Sequence, residues 1–142
     1  MTERAEKDQA GPARAVATTR APAAIGPYTQ GQVVSAAGLE WLYTAGQVGL
    51  DPAAGELAPG GAAEQARQAM ANLSAVLEEA GFRFADVVKS TIFLSDMADF
   101  QDVNRVYAEA MKGALPARST VAVSGLPRGA LVEIELVCVR RP

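Results

Sequence analysis

The sequence predicts an α+β domain, with one mixed β-sheet and two helices packed on one of its faces. Three observations carry that prediction. Strand-like and helix-like stretches follow one another as two or three strands, helix, strand, helix, two strands. Both helical stretches show a single apolar stripe, and the last strand alternates so that only one of its faces is uniformly apolar. A chain of 142 residues fits a single domain with one core.

Met1 to Arg20 contains no apolar stretch, and Glu3, Glu6 and Asp8 interrupt the positive charge that a targeting peptide keeps. This segment is expected to be a disordered leader, with the folded domain spanning 21–142. Gln32 to Ser35 and Leu39 to Val48 are rich in Val, Leu, Trp and Tyr around Gly38, which predicts a β-hairpin. The turn-forming stretches Asp51 to Glu56 and Pro59 to Gly61 predict a loop.

From Ala62 to Ala80, the residues Ala66, Met70, Leu73, Leu77 and Ala80 recur at three- and four-residue intervals, the spacing of an amphipathic helix. Gly81 follows as a left-handed cap. Val87 to Leu94, with Lys89 its only charge, predicts a central strand covered on both faces. A second helix is expected from Phe100 to Met111, with Asp99 as N-cap and Phe100, Val103, Val106, Tyr107 and Met111 as its stripe. Ser119 to Val123 and Leu131 to Arg140 complete the strands, with a turn at Leu126 to Gly129 between them.

In the last strand Val132, Ile134, Leu136 and Cys138 share one face, while Leu131, Glu133, Glu135, Val137 and Val139 share the other. If helices cover the first face, the second is still half apolar. A sheet face of that kind marks an interface, so the chain is expected to form a homo-oligomer with Glu133 near the contact.

Composition excludes several function classes. The chain has no histidine, which removes the commonest general base and metal ligand and the middle member of Ser-His-Asp sites. Its one cysteine, Cys138, can form neither an intrachain disulfide nor a zinc site; it suits a buried strand position and a reducing, cytoplasmic compartment. With 13 Lys plus Arg against 16 Asp plus Glu, the net charge of -3 provides no field for phosphates, so nucleic acid is not an expected partner. No apolar run approaches the roughly 20 residues that a spanning helix needs.

Four segments carry a more specific signal: Ala23 to Gln30 (AAIGPYTQ), Tyr43 to Gln47 (YTAGQ), Pro116 to Val121 (PARSTV) and Leu126 to Glu135 (LPRGALVEIE). In order and spacing they resemble the signature segments of the RidA family of reactive-intermediate deaminases. The resemblance covers roughly Ala21 to Arg140. It implies a chorismate-mutase-like fold, a homotrimer with sites in the clefts between subunits, and hydrolysis of 2-imino or 2-enamino acids to 2-keto acids and ammonia without a cofactor or metal. Such imines are released by pyridoxal-phosphate-dependent dehydratases.

Carried over by position, the carboxylate-binding arginine of the family falls on Arg118, its active-site glutamate on Glu133 and its aromatic pocket residue on Tyr28. Gly46, Ala45, Thr120 and Asn104 complete the expected substrate-binding set, with Thr120 acting through its backbone. Ala45 stands where many members have serine, which removes a hydroxyl from the site. A planar guanidinium can grip a carboxylate with two parallel hydrogen bonds, and Glu133 can take a proton from an attacking water. Glu135, on the same strand face, is the reserve candidate. Two other readings stay open: a non-catalytic carboxylate-binding or chaperone-like module, and a ribonuclease. The second would need a basic track and stacking aromatics, against which stand the net charge and an aromatic content of 6%.

Overall fold

The computed structural model describes residues 12–142. Strands β1 (Ala13–Val16), β2 (Gly31–Ala36), β3 (Leu39–Thr44) and β4 (Gln47–Val48) precede helix α1 (Ala62–Ala80). Strand β5 (Val87–Leu94), helix α2 (Phe100–Met111), β6 (Ala117–Ala122) and β7 (Val132–Arg140) follow. They form one sheet in the order β1-β2-β3-β7-β5-β6, with β4 also paired to β7. Only β5 and β6 run parallel, and α2 supplies the crossover that a parallel pair requires.

Alternation along β7 decides where the core lies. Val132, Ile134, Leu136 and Cys138 are each at most 1% exposed, whereas the residues between them are only half-buried. The buried face meets Met70, Leu73, Val76 and Leu77 of α1 and Val103, Val106 and Met111 of α2 in one apolar cluster. Each such side chain contributes about 1.5–3 kcal/mol when fully buried, so the mixed sheet and both helices stand or fall together. Burial, reinforced by Asp86, pushes the Cys138 thiol up to about 12.

Both helices have the predicted bounds. Gly81 adopts φ 85° and caps α1, donating to Glu78 O at 3.0 Å while Phe82 N donates to Leu77 O at 2.8 Å. No helix among the described residues is long and apolar enough to cross a membrane.

Five expectations need correction or refinement. Part of the leader is ordered: Ala13–Val16 pairs antiparallel with β2, its backbone groups satisfied by the partner strand rather than by local propensity, while residues 1–11 lie outside the described residues. The second hairpin run breaks at Ala45 and Gly46 into β3 and β4. Between the pairs Tyr43↔Val137 and Gln47↔Ile134 the chain advances four residues against three on β7, the extra residue of a β-bulge. Asp99 stands at the N-cap position of α2, as expected, but its side chain makes no capping bond. A 3-10 turn at Met97–Asp99 runs straight into that helix, and Asp96 caps the turn by accepting from Ala98 N at 2.9 Å. The last two strands span 117–122 and 132–140, shifted by one or two residues at their ends. Finally, β5 is covered by helices on one face only; Lys89, Thr91 and Phe93 on its other face are half-buried.

Candidate functional site

Strand β6 forms one edge of the sheet, and its register with β5 places Arg118 opposite Ser90 and Thr120 opposite Ile92. Ser90 and Ile92 are buried under the helices, so Arg118 also points to the helix side. There its Nη1 donates to Asn104 Oδ1 of α2 at 2.7 Å, and its Cζ lies 5.1 Å from the Tyr107 ring centroid and 5.8 Å from that of Phe100. Among the described residues no carboxylate lies within ion-pair distance of this half-buried cation. An uncompensated guanidinium with its Nε and Nη2 edge unbonded can receive a carboxylate in a bidentate pair. Thr120 lines the same cleft, and its buried Oγ1 has no hydrogen-bond partner among the described residues. The backbone role expected of Thr120 therefore leaves out a side-chain hydroxyl that a ligand could satisfy.

Glu133 lies on the other face of the sheet. It alternates with the buried residues of β7, which turns it away from the helices. Its carboxylate rests over Gly46, where an added Cβ would overlap Glu133 Oε1, so a side chain at 46 would push the flexible Glu133 carboxylate aside. Burial raises the Glu133 carboxyl above the ordinary glutamate value of 4.5, and the like charge of Glu135 adds to the rise. A carboxylate so tuned takes a proton more readily than a free one.

Loops assemble the rest of this acid side. Buried Gln30 accepts from Thr18 N at 2.6 Å and donates to Thr18 O, Ala21 O and Pro22 O, while its own carbonyl receives Ala45 N at 2.9 Å. Gln30 thus ties the 18–22 segment through its side chain, and the Ala45-Gly46 bulge through its backbone, to one point. From α1, Asn72 donates to Val48 O and Leu50 O, fixing the chain just beyond the bulge. Tyr28, 53% exposed, lines a cavity of about 260 Å³ together with Gly46, Ile25, Leu50 and Arg128. Arg128 holds a left-handed conformation at φ 62° and donates to Gly55 O at 2.9 Å, bridging two loops at the cavity wall.

The predicted residues therefore fall into two groups. Arg118, Asn104 and Thr120 come together on the helix side at the β6 edge; Glu133, Gly46, Ala45 and Tyr28 come together on the open side. One chain does not bring the two groups to a common cavity. Sequence reasoning missed Arg128 in the cavity wall, and it read Tyr107 and Phe100 only as core. A larger cleft, about 710 Å³ between the C-terminal ends of the helices, holds none of these groups. Side-chain chemistry, rather than size, locates the site. Among the described residues no cluster of His, Cys, Asp or Glu is arranged to hold a metal.

An unpaired guanidinium thus lies on one side of a small α+β scaffold and a carboxyl of raised pKa on the opposite sheet face, so the cation and acid sides are separate in one chain. A family model described as Endoribonuclease L-PSP matches residues 18–140. The chain belongs to this family, the RidA family. It is 49% identical over 129 residues to the mouse protein named 2-iminobutanoate/2-iminopropanoate deaminase, covering 91% of this chain and 93% of that one. It is 48% identical to Protein DfrA of Myxococcus xanthus, over 89% of this chain and 95% of that one. Among solved structures, Escherichia coli TdcF with bound serine superposes with a TM-score of 0.79 at 37% identity, over 89% of this chain and 98% of that one.

Proposed function

We propose that this protein is a 2-iminobutanoate/2-iminopropanoate deaminase that works as a homotrimer, with each site formed where the β6 edge of one copy meets the open sheet face of the next. The half-buried Arg118, held by Asn104 and lacking an acid partner, carries the reading. Its free edge grips the substrate carboxylate. Glu133 of the neighbouring copy accepts a proton from a water as that water's oxygen bonds to the imine carbon. The imine nitrogen takes that proton to give the carbinolamine, whose hydroxyl proton then passes through Glu133 to the nitrogen as the C–N bond breaks, releasing ammonia and leaving a 2-keto acid. Free imines hydrolyse readily, so orientation and charge placement are sufficient catalysis. The half-apolar open face, with Tyr43 49% exposed, supports the assembly. The relatives named as deaminases support the chemistry, and serine bound to TdcF supports a carboxylate-bearing ligand. A reducing cytoplasm suits the single unpaired thiol.

The test adds the protein to a dehydratase acting on serine or threonine and follows the appearance of keto acid. Formation should accelerate with the wild type and fall back to the uncatalysed rate with Arg118→Ala. Unchanged rates with the wild type overturn the proposal, and binding of 2-oxobutanoate without turnover would instead identify a carboxylate-binding module. The description of the family model raises a ribonuclease reading, which a net charge of -3 does not favour. RNA cleavage that survives Arg118→Ala would support it.

A further inference from the structure

Tyr107 belongs to the apolar stripe of α2 and is only 5% exposed, yet its hydroxyl sits 2.7 Å from Ser90 Oγ, which is fully buried. The two side chains satisfy each other's polar groups inside the core. That bond stops the ring from sliding along the helix. Arg118, paired across the ladder with this same Ser90, lies with its Cζ 5.1 Å from the fixed ring's centroid. Its Nη1 is held by Asn104, one helical turn before Tyr107. Ser90, Tyr107 and Asn104 thus define where the guanidinium can be.

We propose that Tyr107, locked by Ser90, is a positioning residue that holds the Arg118 guanidinium by its ring face and keeps the unbonded edge turned to the substrate carboxylate. The inference rests on the carboxylate-binding role of Arg118 in the proposed function. A cation over an aromatic face in a partly dry cleft gains about 0.5–2 kcal/mol, while an untethered arginine must first be ordered by its ligand. The ring thus lowers the ordering cost of binding without touching the ligand. Since the guanidinium holds the carboxylate alike in the bound substrate and in the transition state, the effect of the ring should fall on KM more than on kcat.

The experiment records the Arg118 Nε–Hε resonance in arginine-labelled protein, assigned by its loss in Arg118→Lys, alongside the Kd for 2-oxobutanoate. In Tyr107→Leu the resonance should lose its ring-current shift, and Kd and KM should rise about tenfold while kcat changes less than about threefold. Tyr107→Phe retains the ring, so it should keep most of that shift and weaken binding only about threefold. Ser90→Ala, which loosens the ring without removing it, should behave alike and broaden the resonance. Should Tyr107→Leu fail to fold, the Tyr107→Phe and Ser90→Ala pair decides. An Arg118 resonance and a Kd unchanged in every folded variant overturn the assignment and make Tyr107 a core residue alone. Absence of wild-type deamination would defeat the functional reading without altering the resonance, so the two failures are distinguishable.

Discussion

Arg118 and Glu133 reach their places by different routes. The guanidinium is set by the core: a strand edge orients it, and Asn104, Tyr107 and Phe100 of α2 surround it. The carboxylate is set by loops: a one-residue bulge brings Gly46 beneath it, and Gln30 and Asn72 pin the backbone on either side. On the cation side, tolerance to substitution follows core packing. On the acid side it follows the backbone path, where one added methyl group is enough to displace the Glu133 carboxylate.

The largest effect should come from separating the two sides. Arg118→Ala and Glu133→Ala should each lower keto-acid formation by about a hundredfold, the worth of a pair of charge-assisted bonds. Co-refolding the two variants should recover about a quarter of the wild-type rate, the share of seams that join an intact Arg118 to an intact Glu133 under random mixing. No recovery would mean that the two residues do not meet between copies.

Gly46→Ala should come next, with roughly a tenfold loss of activity but a stability change below about 1 kcal/mol in denaturant titrations, because the Cβ displaces the flexible end of Glu133 rather than backbone. The Arg118 resonance should stay where it is. Movement of that resonance would show that the two sides are coupled through the sheet.

A smaller effect is expected from acidity. The folded-state value of Glu133 is raised, so the native protein binds its proton more tightly than the unfolded chain, and stability falls as pH rises through the window above 4.5. Glu133→Gln removes that dependence. The variant should melt higher than wild type at neutral pH, and the advantage should disappear below pH 4.5. An advantage that grows on acidification would contradict a raised carboxyl.

Much of the fold was legible because burial and hydrogen bonding act locally where the sequence is periodic. The limits of α1 follow from its apolar spacing and Gly81, and the sidedness of β7 from its strict alternation. Strand β1 was not legible: Ala-Arg-Ala-Val has little strand character of its own and is ordered by pairing with β2. The bulge at Ala45 and Gly46 depends on how two distant segments meet. Asp99 was legible as the N-cap position of α2, but the 3-10 turn that precedes it, capped by Asp96 and taking the place of a side-chain cap at Asp99, was not. For the site, the resemblance supplied the residue identities, but the sheet faces of Arg118 and Glu133 depend on the registers of β6 and β7. Tyr107 carried no sequence signal apart from its place in an apolar stripe.

The placement of Cys138 has a consequence for a protein that handles electrophilic carbon. Thiolates add readily to enamine- and imine-derived electrophiles, and only the deprotonated sulfur is reactive. Sealed beneath two helices, with its proton held until about pH 12, the one sulfur nucleophile in the chain stays silent at neutral pH. A thiol held in that state resists alkylation by electrophiles of this kind.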